Sequence, residues 1–264
     1  MLGIKNMTNS KKSAKSRGVV AFAANTETTD YVSIAERTLK LASKTLGLPY
    51  TLITPESQLE GNSRYDIDTG EFVQWRNAGR YQAYELSPYD ETIVIDADYL
   101  VLDDNLLKLF KCEWDYRIMK SAHALTQEFP TTMGPTSLPY VWATVFAFRR
   151  TAHAEMFFKL VKRIQDHYGY YRELFNIEQR NFRNDFAFAM ADIILNGYAV
   201  SNYGIPGPML HVDQSINSIT PLNNMLVIKD NTRAYVVPRT NLHVMSKQYL
   251  QSEQFKEFID HELA

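Results

Sequence analysis

Two carboxylates stand directly after an apolar run near the middle of the chain. Ile93, Val94 and Ile95 are all β-branched and predict a strand buried on both faces, and Asp96 and Asp98 follow it with one small residue between them. A buried carboxylate is costly unless a cation or a set of donors compensates it. Oxygen ligands suit Mg²⁺ or Mn²⁺, and such sites commonly share the metal with substrate phosphates. The pair therefore predicts a divalent-cation site, with an Asp turn that caps the next element as the alternative.

The elements that precede this strand predict a parallel α/β unit. Residues 18–24 form a short apolar run, and a polar loop follows that can cap a helix over 31–46. Gly47 and Pro49 end that helix, and a second strand is predicted at 50–54. A strand–helix–strand start of this kind belongs to parallel α/β folds.

The rest of the chain continues as one α/β domain over residues 18–264, with a more irregular C-terminal half. Hydrophobic periodicity predicts further helices at 76–86, 104–110, 152–167, 184–196 and 252–263, and strands at 115–121, 142–148, 225–228 and 234–237. The sequence contains no internal repeat and no convincing interdomain linker.

The composition is that of a soluble globular protein, with 45% hydrophobic and 22% charged residues in a chain of 264. No apolar run is long enough to span a bilayer, and the N-terminus lacks a secretory pattern, so we expect no membrane anchor. A single cysteine, Cys112, excludes an internal disulfide and a cysteine-based zinc cluster. These features favour a cytoplasmic protein.

Residues 1–17 differ from the remainder in charge. They carry five basic residues and no acid, which leaves 23 basic and 30 acidic residues in the rest of a chain of net charge −2. The segment is polar and has no hydrophobic periodicity, so it is predicted to be a flexible tail. Such a tail either binds phosphate backbones or keeps the protein soluble.

The residues around the two carboxylates resemble one enzyme family. From Ala78 through Arg80 and Pro88 to Asp103, a helix leads through a proline turn into the apolar strand that ends in Asp-x-Asp. This run is similar to that of GT-A-type glycosyltransferases, in particular the group of galactinol synthase, glycogenin and lipopolysaccharide transferases. The resemblance covers residues 18–110 well and the rest loosely. It implies a GT-A-like, Rossmann-type mixed sheet with flanking helices and a nucleotide-sugar donor.

The resemblance also implies roles for particular residues. In this group the first aspartate, here Asp96, reaches ribose or metal-bound water, and the second, Asp98, ligates Mn²⁺ or Mg²⁺. A C-terminal histidine completes the metal site and a lysine faces the diphosphate, which His243 and Lys247 match, although the glycine that the family has between them is absent. His211 is the competing ligand, without a basic residue close behind it.

Three further sets of residues are expected to meet the donor or the acceptor. Arg80 supplies positive charge to the diphosphate or the donor sugar. Ala23, Ala24 and Asn25 follow the first strand, where open α/β sheets bind nucleotides. Asp185 is the candidate for acceptor activation or for stabilising the positive charge on the sugar, because the family has an acid or amide at the start of a helix here. The alternative for Asp185 is a helix N-terminal acid favoured by the helix dipole.

The acceptor is the least determined part of the prediction. Residues 149–183 carry eight basic and four acidic residues. Interleaved with them are the aromatic residues Tyr168, Tyr170, Tyr171, Phe175 and Phe182. With the basic tail, this pattern is typical of nucleic-acid binding, and the alternative is a solvated helix whose aromatic residues belong to the core. The chain also resembles compact GT-A enzymes encoded by bacteriophages, some of which glycosylate hydroxymethylated pyrimidines in DNA, in which case it acts in the host cytoplasm. The alternative acceptor is a glycan, a lipopolysaccharide or a protein side chain.

Two functions of other classes stay open. A nucleotidyltransferase shares the α/β start and the metal carboxylates, but would require a Gly-rich phosphate loop where this chain has Ala23, Ala24 and Asn25. A catalytically silent nucleotide-binding module is the other, and the presence of Asp96 and Asp98 argues against it.

Overall fold

The predicted strand–helix–strand unit opens the fold. The computed structural model describes residues 15–55, 63–66, 71–74, 78–126, 128–133, 138–213 and 215–264. It begins with β1 (Arg17–Phe22), α1 (Tyr31–Leu46) and β2 (Tyr50–Ile53). The α1 helix begins where the Asp30 side chain accepts a hydrogen bond from Ser33 N, and it ends at Gly47, whose φ of 63° suits glycine. β1 and β2 are parallel, which confirms the α/β start.

Short strands and helices make up the rest of the described chain. The strands are β3 (Ser63–Asp66), β4 (Glu71–Gln74), β5 (Glu91–Ile95), β6 (Tyr99–Leu100), β7 (Tyr116–Met119), β8 (Ala122–Ala124), β9 (Trp142–Arg149), β10 (Met209–Val212), β11 (Ser218–Leu222), β12 (Met225–Lys229), β13 (Ala234–Pro238) and β14 (Leu242–Val244). The helices are α2 (Ala83–Leu86), α3 (Ala152–Asp166), α4 (Tyr168–Leu174), α5 (Asn184–Leu195), α6 (Lys247–Leu250) and α7 (Glu253–Leu263), with 3-10 helices at Ala78–Gln82 and Asn105–Lys111.

The main sheet has the strand order β2-β1-β5-β9-β7. β1 is parallel to β2 and β5, whereas β9 is antiparallel to both β5 and β7. Ile95, the last residue of β5, is paired with Ala21 of β1 on one side and with Val145 of β9 on the other. The predicted mixed α/β sheet is confirmed, and the residues after β5 emerge beside the carboxyl end of β1.

A second sheet, of order β6-β14-β10-β8, continues directly from the first. Only Asp96, Ala97 and Asp98 separate β5 in the main sheet from β6 in the second. His243 of β14 is paired with Tyr99 of β6 and with His211 of β10. The two aspartates therefore lie on the link between two sheets, and both histidines lie on adjacent strands of the second.

Two layers of helices cover the main sheet. On one side α3 and α5 pack an aromatic core against β9, where the rings of Phe146 and Phe188 lie 4.8 Å apart and those of Phe157 and Phe188 lie 5.3 Å apart. On the other side α1 packs Leu39 and Ala42 against the β1 and β5 strands. The three-stranded β11-β12-β13 meander and α7 form a further core with the second sheet.

Two predicted segments differ in the structure. The helix predicted at 76–86 is a 3-10 helix at Ala78–Gln82 followed by one turn of α-helix, and residues 75–77 lie outside the described residues. Arg17, the last residue of the predicted tail, is instead the first residue of β1, and its Nε lies 2.8 Å from Glu91 Oε2. Residues 1–14 lie outside the described residues. Among those described, no helix combines the length and the hydropathy that a membrane span requires.

Candidate metal centre

The link after β5 is shaped by small residues and backbone hydrogen bonds. Asp96 N donates to Thr144 O at 2.9 Å, which holds the end of β5 against the start of β9. Ala97 is buried in a cluster with Ala23 and Ala35, and its carbonyl accepts a hydrogen bond from Thr38 Oγ1. Because the buried side chains at this point are all alanines, α1 packs close to the link and the two aspartates project from a fixed backbone.

Asp96, Asp98 and His243 converge on one point. One ligand atom from each lies within 4.8 Å of the others, and no second group of three potential metal-ligating side chains occurs in the described part of the chain. His243 Nε2 lies 3.4 Å from Asp98 Oδ1. Two carboxylates and an imidazole are a donor set that fits Mn²⁺ or Mg²⁺. The three predicted metal ligands are thus brought together.

Asp98 is a buried anion between Lys247 and His243. Its residue is 8% exposed, its Oδ2 forms an ion pair with Lys247 Nζ, and its Oδ1 faces His243. Burial alone raises the pKa of the Asp98 carboxyl, but His243 and Lys247 together lower that pKa below its ordinary value. Lys247 begins α6, where the Ser246 side chain accepts from Tyr249 N. Asp98 is therefore ionised at neutral pH, as a metal ligand must be.

Arg80 is the buried counter-ion of Asp96. Its Nη2 forms an ion pair with Asp96 Oδ1, and its Nη1 donates to Ala143 O at 2.8 Å. Burial lowers the pKa of Arg80 to about 10, against the opposing effect of Asp185 and Asp98, so the guanidinium stays charged at neutral pH. With 4% of the residue exposed, Arg80 contacts and orients Asp96 from within the fold.

Asp185 holds the other side of the same peptide segment. Its Oδ1 accepts from Ala143 N at 2.8 Å, and its Oδ2 lies 3.4 Å from Arg183 Nη2. Ala143, the second residue of β9, is thus held through its N–H by Asp185 and through its carbonyl by Arg80. Asp185 lies in the first turn of α5 as predicted, but its carboxylate bonds to β9.

The two histidines that the sequence presented as competitors lie in contact. His211 Nδ1 is 3.1 Å from His243 Nδ1, and of the two only His243 belongs to the cluster with Asp96 and Asp98. Burial and the neighbouring His243 lower the pKa of His211 to about 4, so His211 is neutral. Trp142 and Phe129 pack against His211 with ring centroids 5.1 and 5.4 Å away.

Sequence reasoning missed these two aromatic neighbours and the contact between the histidines. The contact depends on the pairing of β10 with β14, which is long-range. The only local signal was that each histidine stands inside a short apolar run.

The residues after β1 lie beside the link that carries the two aspartates. The Ala23 side chain is buried against Ala35 and Ala97, so it provides space rather than a contact surface. Ala24 is half-buried, and the exposed Asn25 accepts from Val32 N at 2.9 Å through Oδ1, which fixes the entry to α1. Tyr31 follows, with its ring centroid 5.8 Å from Lys247 Nζ.

Most of the basic residues of the 149–183 segment interact within the protein. Arg149 is buried and pairs with Glu91 and Glu113. Arg150 donates to the Tyr84, Ser87 and Tyr89 carbonyls, and Lys159 and Lys162 pair with acids one helical turn away. Arg163 and Arg180 are exposed. Tyr168 and Phe182 are buried in the core. This arrangement agrees with the alternative to nucleic-acid binding, a solvated helix whose aromatic residues belong to the core.

Solved structures similar to this chain include glycosyltransferases. The galactosyltransferase LgtC, in complex with donor and acceptor sugar analogs, aligns over 92% of this chain and 95% of its own, with 14% identity and a TM-score of 0.46. A glycosyltransferase involved in the glycosylation of the major capsid of PBCV-1 aligns over 74% and 82%, with 13% identity and a TM-score of 0.37. The glycosyltransferase GlyE of Streptococcus pneumoniae TIGR4 aligns over 69% of this chain and 44% of its own, with 13% identity and a TM-score of 0.39. No protein-family model matches the chain, and no curated protein matches it by sequence.

Proposed function

We propose that the protein is a metal-dependent glycosyltransferase that moves a sugar from a nucleotide-sugar donor to an acceptor hydroxyl. The observation that carries this proposal is the convergence of Asp96, Asp98 and His243 at the end of β5, with Lys247 on Asp98. Nucleotides bind in open α/β sheets outside the carboxyl ends of the strands, which is where this cluster lies.

The donor is a sugar carried on a nucleoside diphosphate, because the negative diphosphate complements the positive charge that a divalent ion and Lys247 would supply. Negative charge grows on the departing diphosphate as the sugar bond breaks, and a divalent ion held by Asp96, Asp98 and His243 would stabilise that charge. Lys247 adds an ammonium group from α6, next to the same carboxylate. Arg80 orients Asp96 through its ion pair. Asn25 and Tyr31, after β1, lie on the side where the nucleoside would bind.

Asp185 is the proposed residue for acceptor activation or for stabilising positive charge on the sugar. Its Oδ1 accepts from Ala143 N, whereas its Oδ2 lies 3.4 Å from Nη2 of the exposed Arg183. The Asp185 side chain is 22% exposed, so a carboxylate oxygen is accessible to an acceptor hydroxyl. The hydrogen bond from Ala143 N holds this carboxylate beside β9, and the carbonyl of the same residue accepts from Arg80.

For the acceptor, the contacts favour a carbohydrate hydroxyl. Trp142, Tyr140 and Phe129 are half-buried rings beside His211 and suit the apolar face of a sugar. A hydroxymethylated pyrimidine in DNA would require free cations near the site to bind phosphates. Most of the basic residues of 149–183 already have partners within the protein, and Arg163 and Arg180 remain as candidates for such contacts.

The test is a donor screen followed by product analysis. The protein is incubated with UDP-, GDP-, CMP- and ADP-sugars, with Mn²⁺ or with EDTA, and donor binding is measured as a rise in melting temperature. A glycosyltransferase releases a nucleoside diphosphate from UDP-, GDP- or ADP-sugars, whereas a nucleotidyltransferase transfers the nucleotide itself. Asp98→Asn should abolish the Mn²⁺-dependent shift, and Asp104→Asn, an exposed acid without a side-chain capping bond, is the matched control. Donor shifts of equal size in EDTA would contradict the proposal.

A further inference from the structure

The ring of His243 uses both of its nitrogens. Nε2 faces Asp98 Oδ1 at 3.4 Å, and Nδ1 faces His211 Nδ1 at 3.1 Å. A histidine nitrogen binds a metal only when it carries no proton, so the proton of a neutral, metal-binding His243 must sit on the other nitrogen. If His243 binds through Nε2, Nδ1 is the donor of the bond between the two rings.

We propose that His211 is a positioning residue, which accepts a hydrogen bond from His243 Nδ1–H and thereby presents His243 Nε2, free of its proton, to the metal. The inference rests on the proposed metal site and adds a residue that does not itself touch the ion. It requires His211 to carry its own proton on Nε2, so that its Nδ1 lone pair faces His243. Histidine ligands commonly have their second ring nitrogen held by a hydrogen-bond partner in this way.

The surroundings of His211 suit a fixed acceptor. β10 and β14 are parallel, with His211 and His243 directly paired, so both rings lie on the same face of the second sheet. Trp142 packs against His211 and lies 6.2 Å from His243 between ring centroids, and Phe129 meets His211 edge-on. These contacts restrict rotation of the His211 ring and keep its Nδ1 pointed at His243.

The reverse hydrogen bond has the opposite consequence. If His211 Nδ1–H donated to His243 Nδ1, the proton of a neutral His243 would be on Nε2. His243 Nε2 could then not bind a metal. The two arrangements differ in which ring nitrogen is protonated, which ¹⁵N NMR of labelled histidines reports. In wild-type protein saturated with Mg²⁺ we expect His243 protonated at Nδ1 and His211 at Nε2, and the reverse assignment would overturn the proposal.

Two substitutions separate hydrogen bonding from packing. His211→Asn keeps a side-chain oxygen that can accept close to the position of Nδ1, and His211→Phe keeps a ring but no acceptor. The loss of the free Mn²⁺ EPR signal on titration measures binding of the metal alone. We expect His211→Phe to weaken Mn²⁺ binding by about ten- to a hundredfold, the usual effect of losing the partner of a ligand. His211→Asn should stay close to wild type, as should His123→Phe, which alters an exposed histidine on β8 of the same sheet.

The outcomes distinguish this proposal from the metal site itself. Equal weakening in His211→Phe and His211→Asn would mean that His211 acts by packing alone, and unchanged binding in both would mean that it does not act on His243. Either result overturns the proposal while leaving the site intact, provided that Asp98→Asn still loses Mn²⁺. Unchanged Mn²⁺ binding in Asp98→Asn would instead refute the site. Melting temperatures in EDTA check that each variant is folded.

Discussion

Replacing Lys247 by Gln should change metal binding and nucleotide binding in opposite directions. In the protein without metal, the Lys247 ammonium is an ion-pair partner of Asp98 at the point where a divalent ion would bind. The metal must displace this cation from the carboxylate or share the carboxylate with it. Once the metal is bound, the displaced ammonium is available for the diphosphate. Lys247→Gln removes the competitor of the metal and also a cationic contact of the nucleotide.

The expected size follows from the burial of the pair. Hydrogen bonds between charged groups contribute about 1.5–3 kcal/mol. The lower end applies, because the Lys247 side chain is 24% exposed and that of Asp98 is 12% exposed, so solvent screens part of the interaction. Since about 1.4 kcal/mol corresponds to a factor of ten, Mn²⁺ alone should bind Lys247→Gln about tenfold more tightly than wild type. A nucleoside diphosphate should bind at least about tenfold more weakly at saturating Mn²⁺, by the same reasoning.

Two titrations measure these effects. Mn²⁺ binding without nucleotide is followed by EPR, and binding of the nucleoside diphosphate preferred by the wild type is followed by calorimetry at saturating Mn²⁺. Both differences should shrink as salt is raised, because part of each is screened. Lys256→Gln on α7 is the control, since that half-buried lysine pairs with Glu253 one turn away. Weaker Mn²⁺ binding in Lys247→Gln, or nucleotide binding equal to that of wild type, would refute the reasoning.

Three further predictions concern the reaction, the core and the acceptor. Asp98→Asn should lower sugar transfer by at least about a hundredfold, from the loss of a few kcal/mol of charge stabilisation, and initial rates with Asp104→Asn as control measure this. Phe188→Ala, which empties a fully buried site among three phenylalanine rings, should cost about 3–5 kcal/mol of unfolding free energy in urea, and Phe186→Ala, half-buried on the same helix, should cost less. Combined Arg163→Gln and Arg180→Gln should leave transfer to glycans unchanged, and if DNA is the acceptor it should lower the slope of log K against log salt by roughly two.

Local signals were enough to predict the first half of the fold. The predicted bounds of α1 agree with the structure because Asp30 caps one end and Gly47 the other, and both signals lie within a few residues of the helix. The strand that ends at Asp96 was equally clear, because a β-branched run buried on both faces leaves little choice of conformation.

The second sheet could not be predicted, for a physical reason. Its strands have two to four residues, too few for a periodic pattern, and they are stabilised by partners far away in sequence. The contact of His211 with His243 depends on the register of β10 and β14, which no local pattern encodes. The burial of Arg80 could not be predicted for a similar reason, since it depends on the ion pair with Asp96 and the hydrogen bond to the Ala143 carbonyl.

The link between the two sheets has a consequence for the stage of folding at which the residues of the proposed metal site come together. Asp98 and Lys247 stand 149 residues apart in the chain, so the site closes a loop that comprises more than half of the molecule. Contacts of such separation form only after the intervening segments have been organised, because the entropy of closing the loop must be met first. A nascent chain that has emerged only through β9 would carry both aspartates but neither His243 nor Lys247. If the site binds Mn²⁺ as proposed, binding requires the chain through Lys247 to have folded, and bound Mn²⁺ would serve as a probe that folding has reached α6.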